Sequence, residues 1–305
     1  MREDQFFGNK RIAIGIAIFC TFLWGSAFPT LKVSYEKLGI APADIYAKML
    51  FAGLRFFTAG FFVIFYHFLY RKKLPEFKKT SLKTFIVLGL LQTTFQYFFY
   101  YVGLGNTTGV KASILQSAST FFMVILAAFF FSDDRIHLRK ALAILIGFTG
   151  ILISNTTTSL DFTMTLKGEG FLLISALVGS FGMIWVKKYC KDDDPFVLTS
   201  GQMILGSMIL IIVGSSKLEH PLIISSSAIL LFIYACFISS TAFLLWYFLL
   251  RYHKVGEISI YRLFIPIFGA LLSVIFLNDP FTINILVGMI LVVIGLFVLN
   301  YNFQK

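Results

Sequence analysis

The sequence predicts an all-α integral membrane protein with ten transmembrane helices in two inverted five-helix repeats. Three observations predict this fold: the composition, the recurrence of uncharged segments, and a similarity between the two halves. Of the 305 residues, 58% are apolar and 13% are charged, whereas a soluble domain has about 45–50% apolar and about 25% charged residues. The composition therefore excludes a soluble globular protein.

Uncharged segments that are long enough to form membrane helices recur along the whole chain. About 20 mostly apolar residues cross a bilayer. Lysine, arginine, aspartate or proline residues bound ten such segments. The predicted spans are 12–31, 44–70, 84–104, 112–131, 141–155, 168–186, 195–215, 224–250, 258–277 and 283–301. Because the connections are short, little of the chain is left for a water-soluble domain.

The distribution of basic residues predicts the orientation of these spans. Loop lysines and arginines favour the cytoplasmic side of a membrane. With both termini on that side, most of the 26 basic residues fall there, and the outer loops receive only Lys37, Lys111, Lys167 and Lys217. We therefore expect a multi-pass protein of the inner (cell) membrane with cytoplasmic termini. Contact with anionic membrane lipids, rather than nucleic acid, accounts for the net charge of +11.

The two halves of the chain resemble each other. Shifts of 145 to 154 residues superimpose identical residues, among them Tyr101 on Tyr247, Ser113 on Ser259, Gly150 on Gly295, and Gly25-Ser26 on Gly179-Ser180. The predicted repeats cover residues 11–155 and 168–301. Because each repeat has five spans, the second enters the membrane from the opposite side. Such inverted repeats permit two mirror-like states, each closed at one face, as alternating access requires.

Two arginines lie inside predicted spans, where polar groups are costly unless they are paired or hydrated. The repeat counterpart of Arg55 is Gln202, and that of Arg262 is Gln116. Either guanidinium could bind a carboxylate or phosphate of a substrate, or could join helices through backbone carbonyls. We interpret Arg55 and Gln202 as structural, and both interpretations stay open for Arg262.

Five residues are candidate ligands of a small-molecule substrate in a cavity between spans 1, 3, 4, 6, 8 and 9. Arg262 and Tyr261 are assigned to an anionic group, Gln92 and Gln116 to hydrogen bonds, and Trp24 to an apolar part.

Three further residues are candidates for helix movement. Gly25 and Ser26 permit close packing of the first span. Pro266, deep in span 9, is expected to kink that helix because it removes a backbone hydrogen bond.

The residues of an enzyme or metal site are missing. The histidines and cysteines have no metal-binding spacing, and only Asp44 and Glu257 place a carboxylate near a span. We predict no cofactor, no metal and no enzymatic activity. Gly288 and Gly295 give span 10 a smooth face that could pair two copies of the chain in a homodimer.

Several motifs, in the same order in both halves, carry a resemblance to a known family. They are Trp24-Gly25-Ser26 with Lys32, Arg55, Gly109-Val110-Lys111-Ala112-Ser113, Asp133-Asp134, Gly147 with Gly150, the segment from Ile258-Ser259 to Ile265-Pro266, Phe268-Gly269, and Leu277-Asn278-Asp279-Pro280. In these motifs the chain resembles the EamA-type permeases of the drug/metabolite transporter superfamily. It departs from that family at Thr120, where span 4 usually has a proline, and in using aspartates where spans 4 and 9 usually end in glutamate.

The resemblance implies secondary transport of a small organic metabolite, such as an amino acid or a related solute, with export as the expected direction. Two alternatives stay open. One is a flippase for a lipid carrier within the same superfamily. The other is a membrane sensor or assembly subunit that transports nothing.

Overall fold

A computed structural model of the protein describes residues 3–77, 82–130, 136, 138–155, 164–190, 193–253 and 260–300. Asp133, Asp134, Glu257, Ile258 and Ser259 lie outside the described residues.

Ten helical segments, α1 to α10, correspond in order to the ten predicted spans. They are Lys10–Leu38, Ile45–Arg71, Leu82–Gly105, Gly109–Phe130, Leu138–Ser154, Leu166–Tyr189, Pro195–Ser216, Ser226–Tyr252, Phe264–Leu277 and Ile283–Asn300. A short helix, Glu3–Phe7, precedes them, and the described ranges contain no strand. Seven segments (α1 to α4 and α6 to α8) are long and apolar enough to cross a membrane. The predicted all-α membrane fold is confirmed.

The capping residues explain why α1 is longer than its predicted span. The Asn9 side chain accepts hydrogen bonds from the backbone N–H of Arg11 and Ile12, so the helix starts before the first apolar run. It ends at Gly39, whose φ of 70° is left-handed and suits glycine. The predicted span stopped before Lys32 because a charge ends the apolar run, but a lysine does not end a helix.

The helix packing has an internal two-fold symmetry. The pairs α2 with α7, α4 with α9, and α5 with α10 each join counterparts from the two halves. The pairs α1–α8, α1–α9 and α2–α8 have the counterparts α6–α3, α6–α4 and α7–α3, and all six are present. Within α2–α7, Gly53 lies against Ile211 and Gly60 against Ile204, so these counterparts run antiparallel. This arrangement is an inverted repeat.

Glycines bring α5 and α10 into backbone contact. A Cβ atom on Gly150 would lie 2.5 Å from the carbonyl oxygen of Gly288, and one on Gly295 would lie 2.9 Å from the Gly147 nitrogen. The glycine face of α10, which we predicted to pair two copies of the chain, is therefore covered by α5 of the same chain. The homodimer stays a prediction, but the glycine face of α10 no longer supports it.

Replacing Gly150 with leucine is expected to destabilise the protein by about 1–3 kcal/mol, because the added side chain has no space between α5 and α10. The measurement is thermal unfolding of the purified protein in detergent. Gly15→Leu is the matched control, since a Cβ on Gly15 meets nothing within 4 Å. Equal melting temperatures for the two variants would contradict the close packing of α5 on α10.

The helices α4 and α9 are both interrupted at equivalent positions. In α4, the α-helix Gly109–Gln116 ends at Ser117, and a second one starts at Ala118. In α9, a 3₁₀ turn, Ile260–Leu263, precedes the α-helix Phe264–Leu277. Pro266 lies in the first turn of the α-helix, where proline is tolerated, rather than deep inside it as expected, and the change of helix type comes just before it. The break in α4 forms although this chain has Thr120 at the position where the permeases that it resembles usually have a proline.

Candidate functional site

A cavity lies between α1, α3, α4, α6, α8 and α9. These are the six helices that the sequence predicted to line a substrate cavity. Arg55 of α2 also lines it. The empty volume of the cavity is about 960 Å³, including the part that opens to solvent. The polar lining consists of arginine, amide and hydroxyl side chains: Arg55, Arg262, Gln92, Gln96, Gln116, Ser117, Ser119, Thr120, Ser180 and Ser239. The apolar lining is largely aromatic, with Trp24, Phe28, Tyr97, Tyr100 and Phe243.

Arg262 and Gln116 lie in this cavity beside the breaks in α9 and α4. Nη2 of Arg262 donates a hydrogen bond to Oγ of Ser119 at 3.0 Å. Nε of Arg262 and Oε1 of Gln116 are buried and have no partner within the described chain. Buried polar groups are nearly always hydrogen-bonded. These two atoms therefore mark a place for a polar ligand.

Two glutamines of α3 lie against glycines of α6. A Cβ atom on Gly182 would be 2.3 Å from Cγ of Gln92, and one on Gly179 would be 2.7 Å from Cδ of Gln96. Gln92 is only 2% exposed, and its Oε1 accepts a hydrogen bond from the Tyr247 hydroxyl at 3.0 Å, while its Nε2 has no described partner. A π-helical segment, Gly89–Phe95, carries this side chain; π-helical turns are common at functional sites.

Arg55 joins three helices while facing the cavity. Its Nε donates to the Ala235 carbonyl of α8 at 2.9 Å, and its Nη1 donates to the Tyr101 hydroxyl of α3 at 2.6 Å. The side chain is 2% exposed. These contacts agree with the structural role expected for Arg55. Arg55 also lines the cavity.

Aromatic rings form the wall of the cavity around Trp24. The indole centroid lies 5.9 Å from the ring of Phe243 and 5.1 Å from that of Trp246. Phe28 and Tyr100 are 6.0 Å apart. Such a wall can bind a flat or apolar part of a ligand.

The remaining predicted site residues lie outside the described cavity lining. Tyr261, expected to bind substrate, instead packs against an apolar cluster of α1 and α8 that contains Trp246. The four other residues join helices: Gly25 lies against Phe268, Ser26 hydrogen-bonds Tyr234, Gln202 accepts from Tyr247, and Pro266 accepts from Ser113.

Sequence reasoning missed several lining residues and one buried carboxylate. Ser119 and Ser239 lie in no distinctive motif, and only the pairing of helices places them in the cavity. Glu169 corrects the expectation that only Asp44 and Glu257 lie near spans. Its carboxylate accepts hydrogen bonds from the Thr107 hydroxyl at 2.5 Å and from the Thr165 N–H at 2.9 Å. Glu169 therefore caps the start of α6, far from the cavity lining.

Replacing Gly182 with alanine is expected to weaken solute binding roughly fivefold, the equivalent of about one hydrogen bond. The new methyl group would displace Gln92 from its contact with Tyr247. The measurement is the half-saturation concentration for solute counterflow in proteoliposomes, with Gly15→Ala as the control. Unchanged binding in the Gly182 variant would show that Gln92 does not contact the solute.

The model of the EamA-like transporter family matches this chain twice, at residues 11–156 and 166–301. Similar proteins include the uncharacterized transporter YoaV of Bacillus subtilis, 22% identical over 97% of this chain and 98% of that protein. An uncharacterized transporter of Archaeoglobus fulgidus is 26% identical over 93% of this chain and 97% of its own length. A probable amino-acid metabolite efflux pump of Salmonella typhimurium is 24% identical over 95% of each protein.

A solved crystal structure has the same fold. It aligns with a TM-score of 0.66 over 95% of this chain and 98% of its own chain, at 16% sequence identity. At this identity the likeness supports the fold alone.

Proposed function

The chain belongs to the EamA-like transporter family, and on this premise we propose that it is a secondary carrier that moves a small organic solute across the cell membrane by alternating access. The unpartnered polar groups of Arg262, Gln116 and Gln92 around the cavity carry this proposal. They lie beside or within interruptions of α4, α9 and α3. Broken helices at the midplane are typical of transporter binding sites, because the free backbone and side-chain groups there can bind a solute.

We propose that the cavity opens alternately toward the two faces of the membrane. In the described structure α4 and α9 pack together between the cavity and the Leu38 end of α1. A Cβ on Gly109 would lie 3.0 Å from Cβ of Ser273, and Oδ2 of Asp279 accepts a hydrogen bond from the Val110 N–H at 3.1 Å. With the termini placed in the cytoplasm, this contact closes the outer face, and its opening would release the solute outward.

The direction of transport that we propose is export. The family match and the efflux pump of Salmonella support it, and amino acids with related carboxylic acids form the first panel to test. Trp24, Gln92, Gln116 and Arg262 are the proposed ligands, with Arg55 as a further contact. Tyr261 is left out of this set because of its position outside the described lining.

The test is counterflow of labelled solutes into proteoliposomes that contain the purified protein. We expect at least one amino acid or carboxylic acid to accumulate above the level in empty liposomes. A folded protein that moves no solute would contradict the carrier. If it moved fluorescent lipids between leaflets instead, the flippase would replace the carrier as the proposed function.

A further inference from the structure

The charge of the described cavity lining is unbalanced. This described lining contains two guanidinium groups, Arg55 and Arg262, and no carboxylate. The ion pairs described in the protein involve Lys37, Arg71 and Lys73, all near the ends of helices or in loops, and neither cavity arginine takes part in one. Hydroxyl and carbonyl oxygens accept their hydrogen bonds. Unpaired charges in a low-dielectric site attract an opposite charge strongly.

The unpartnered atoms favour an acceptor-rich ligand. Among the unpartnered atoms of the described lining, Nε of Arg262 and Nε2 of Gln92 are donors, Oγ of Ser239 can donate or accept, and Oε1 of Gln116 is an acceptor. A carboxylate offers about four lone-pair sites to such donors. An ammonium group, by contrast, needs acceptors or a carboxylate, and the two arginines would repel it.

From these observations we infer that the cavity selects an organic anion: a carboxylate attached to an apolar, preferably aromatic, group and without an ammonium group. The inference rests on the proposed function and narrows its substrate class. The carboxylate contacts Arg262, and the apolar part contacts the wall formed by Trp24 and Phe243. Amino-acid zwitterions bind more weakly because their ammonium group shares the cavity with two cations.

Three probes with the same phenyl ring test this inference: phenylacetate, L-phenylalanine and phenethylamine, which are an anion, a zwitterion and a cation at pH 7. Binding is measured by titration calorimetry on the detergent-purified protein, and flux by counterflow in proteoliposomes. We expect phenylacetate to bind at least about 10-fold more tightly than L-phenylalanine, because both carry the carboxylate but only L-phenylalanine places an ammonium group beside the two arginines, which repel it. Phenethylamine should not bind.

Arg262→Gln gives the second repeat the residue of its counterpart, Gln116. In this variant the preference for phenylacetate over L-phenylalanine should fall toward equality, which loss of stability alone would not produce. Arg251→Gln, which removes an exposed arginine outside the cavity, should keep the preference. If the Arg262 variant does not fold, the preference of the wild-type protein still decides.

The outcomes separate this inference from the proposed function. Binding of L-phenylalanine or phenethylamine as tightly as phenylacetate would overturn the anion selectivity, even if the protein transports them. Failure of phenylacetate to bind at millimolar concentration would overturn it as well. Selective binding of phenylacetate without flux of any probe would instead leave the inference standing and contradict the carrier.

Discussion

Replacing Arg262 with alanine is expected to lower solute counterflow by about 10- to 100-fold while the protein stays folded in the membrane. The variant loses a charged hydrogen-bond donor that faces the cavity, and such a contact is worth roughly 1.5–3 kcal/mol. Within the described chain, the hydrogen bond that it breaks is the one from Nη2 to Ser119. Since Nε has no described partner, little intramolecular bonding is lost. Counterflow in proteoliposomes measures the effect.

Two control variants separate binding from folding. Arg262→Lys keeps the charge but loses the planar donor pair, so it should recover part of the transport. Ser119→Ala removes the acceptor of the Arg262 hydrogen bond and should reduce transport less than the loss of Arg262, because the charge remains. Melting temperatures near that of the wild type are expected for all three. If Arg262→Ala transports at the wild-type rate, the arginine has a structural role only.

The ten helices could be predicted because each depends on local composition. A helix of about 20 apolar residues matches the thickness of the hydrocarbon core, so an apolar run of this length between charges predicts a membrane helix. The ends were less predictable because caps decide them: α1 starts at the Asn9 cap and ends at Gly39, beyond the apolar run. The helix break near Gln116 could not be predicted from a proline, because the chain has none there; it was visible only in the structure.

The candidate site was predictable in part, for a similar reason. Arg262, Gln92 and Gln116 were found because a polar side chain in an apolar span is conspicuous in the sequence. The glycines Gly179 and Gly182, which make room for the glutamines, were not found as such, because their role depends on the packing of α3 against α6. Tyr261 lies in the 3₁₀ turn that precedes α9 and packs against α1 and α8, and neither the turn nor this packing has a signal in the sequence.

Joining α4 to α9 by a disulfide is expected to stop transport. The pair Gly109→Cys and Ser273→Cys would bridge the two helices near the Leu38 end of α1, where a Cβ on Gly109 lies 3.0 Å from the Ser273 Cβ. This separation is slightly below the Cβ–Cβ distance of about 3.5–4.5 Å in disulfides, so a small shift of the helices permits the bond. If release of the solute requires this contact to open, the oxidised protein cannot complete a cycle.

The cross-link is tested in a background in which the three native cysteines, all buried and free, are replaced by alanine. Counterflow should fall to the level of empty liposomes on oxidation and return on reduction, while each single cysteine variant transports in both conditions. Solute binding to the oxidised protein in detergent should persist, because the cavity lies beyond the cross-link. Full transport by a quantitatively cross-linked protein would show that α4 and α9 do not separate at this face, and the alternating-access cycle would then have to use other helices.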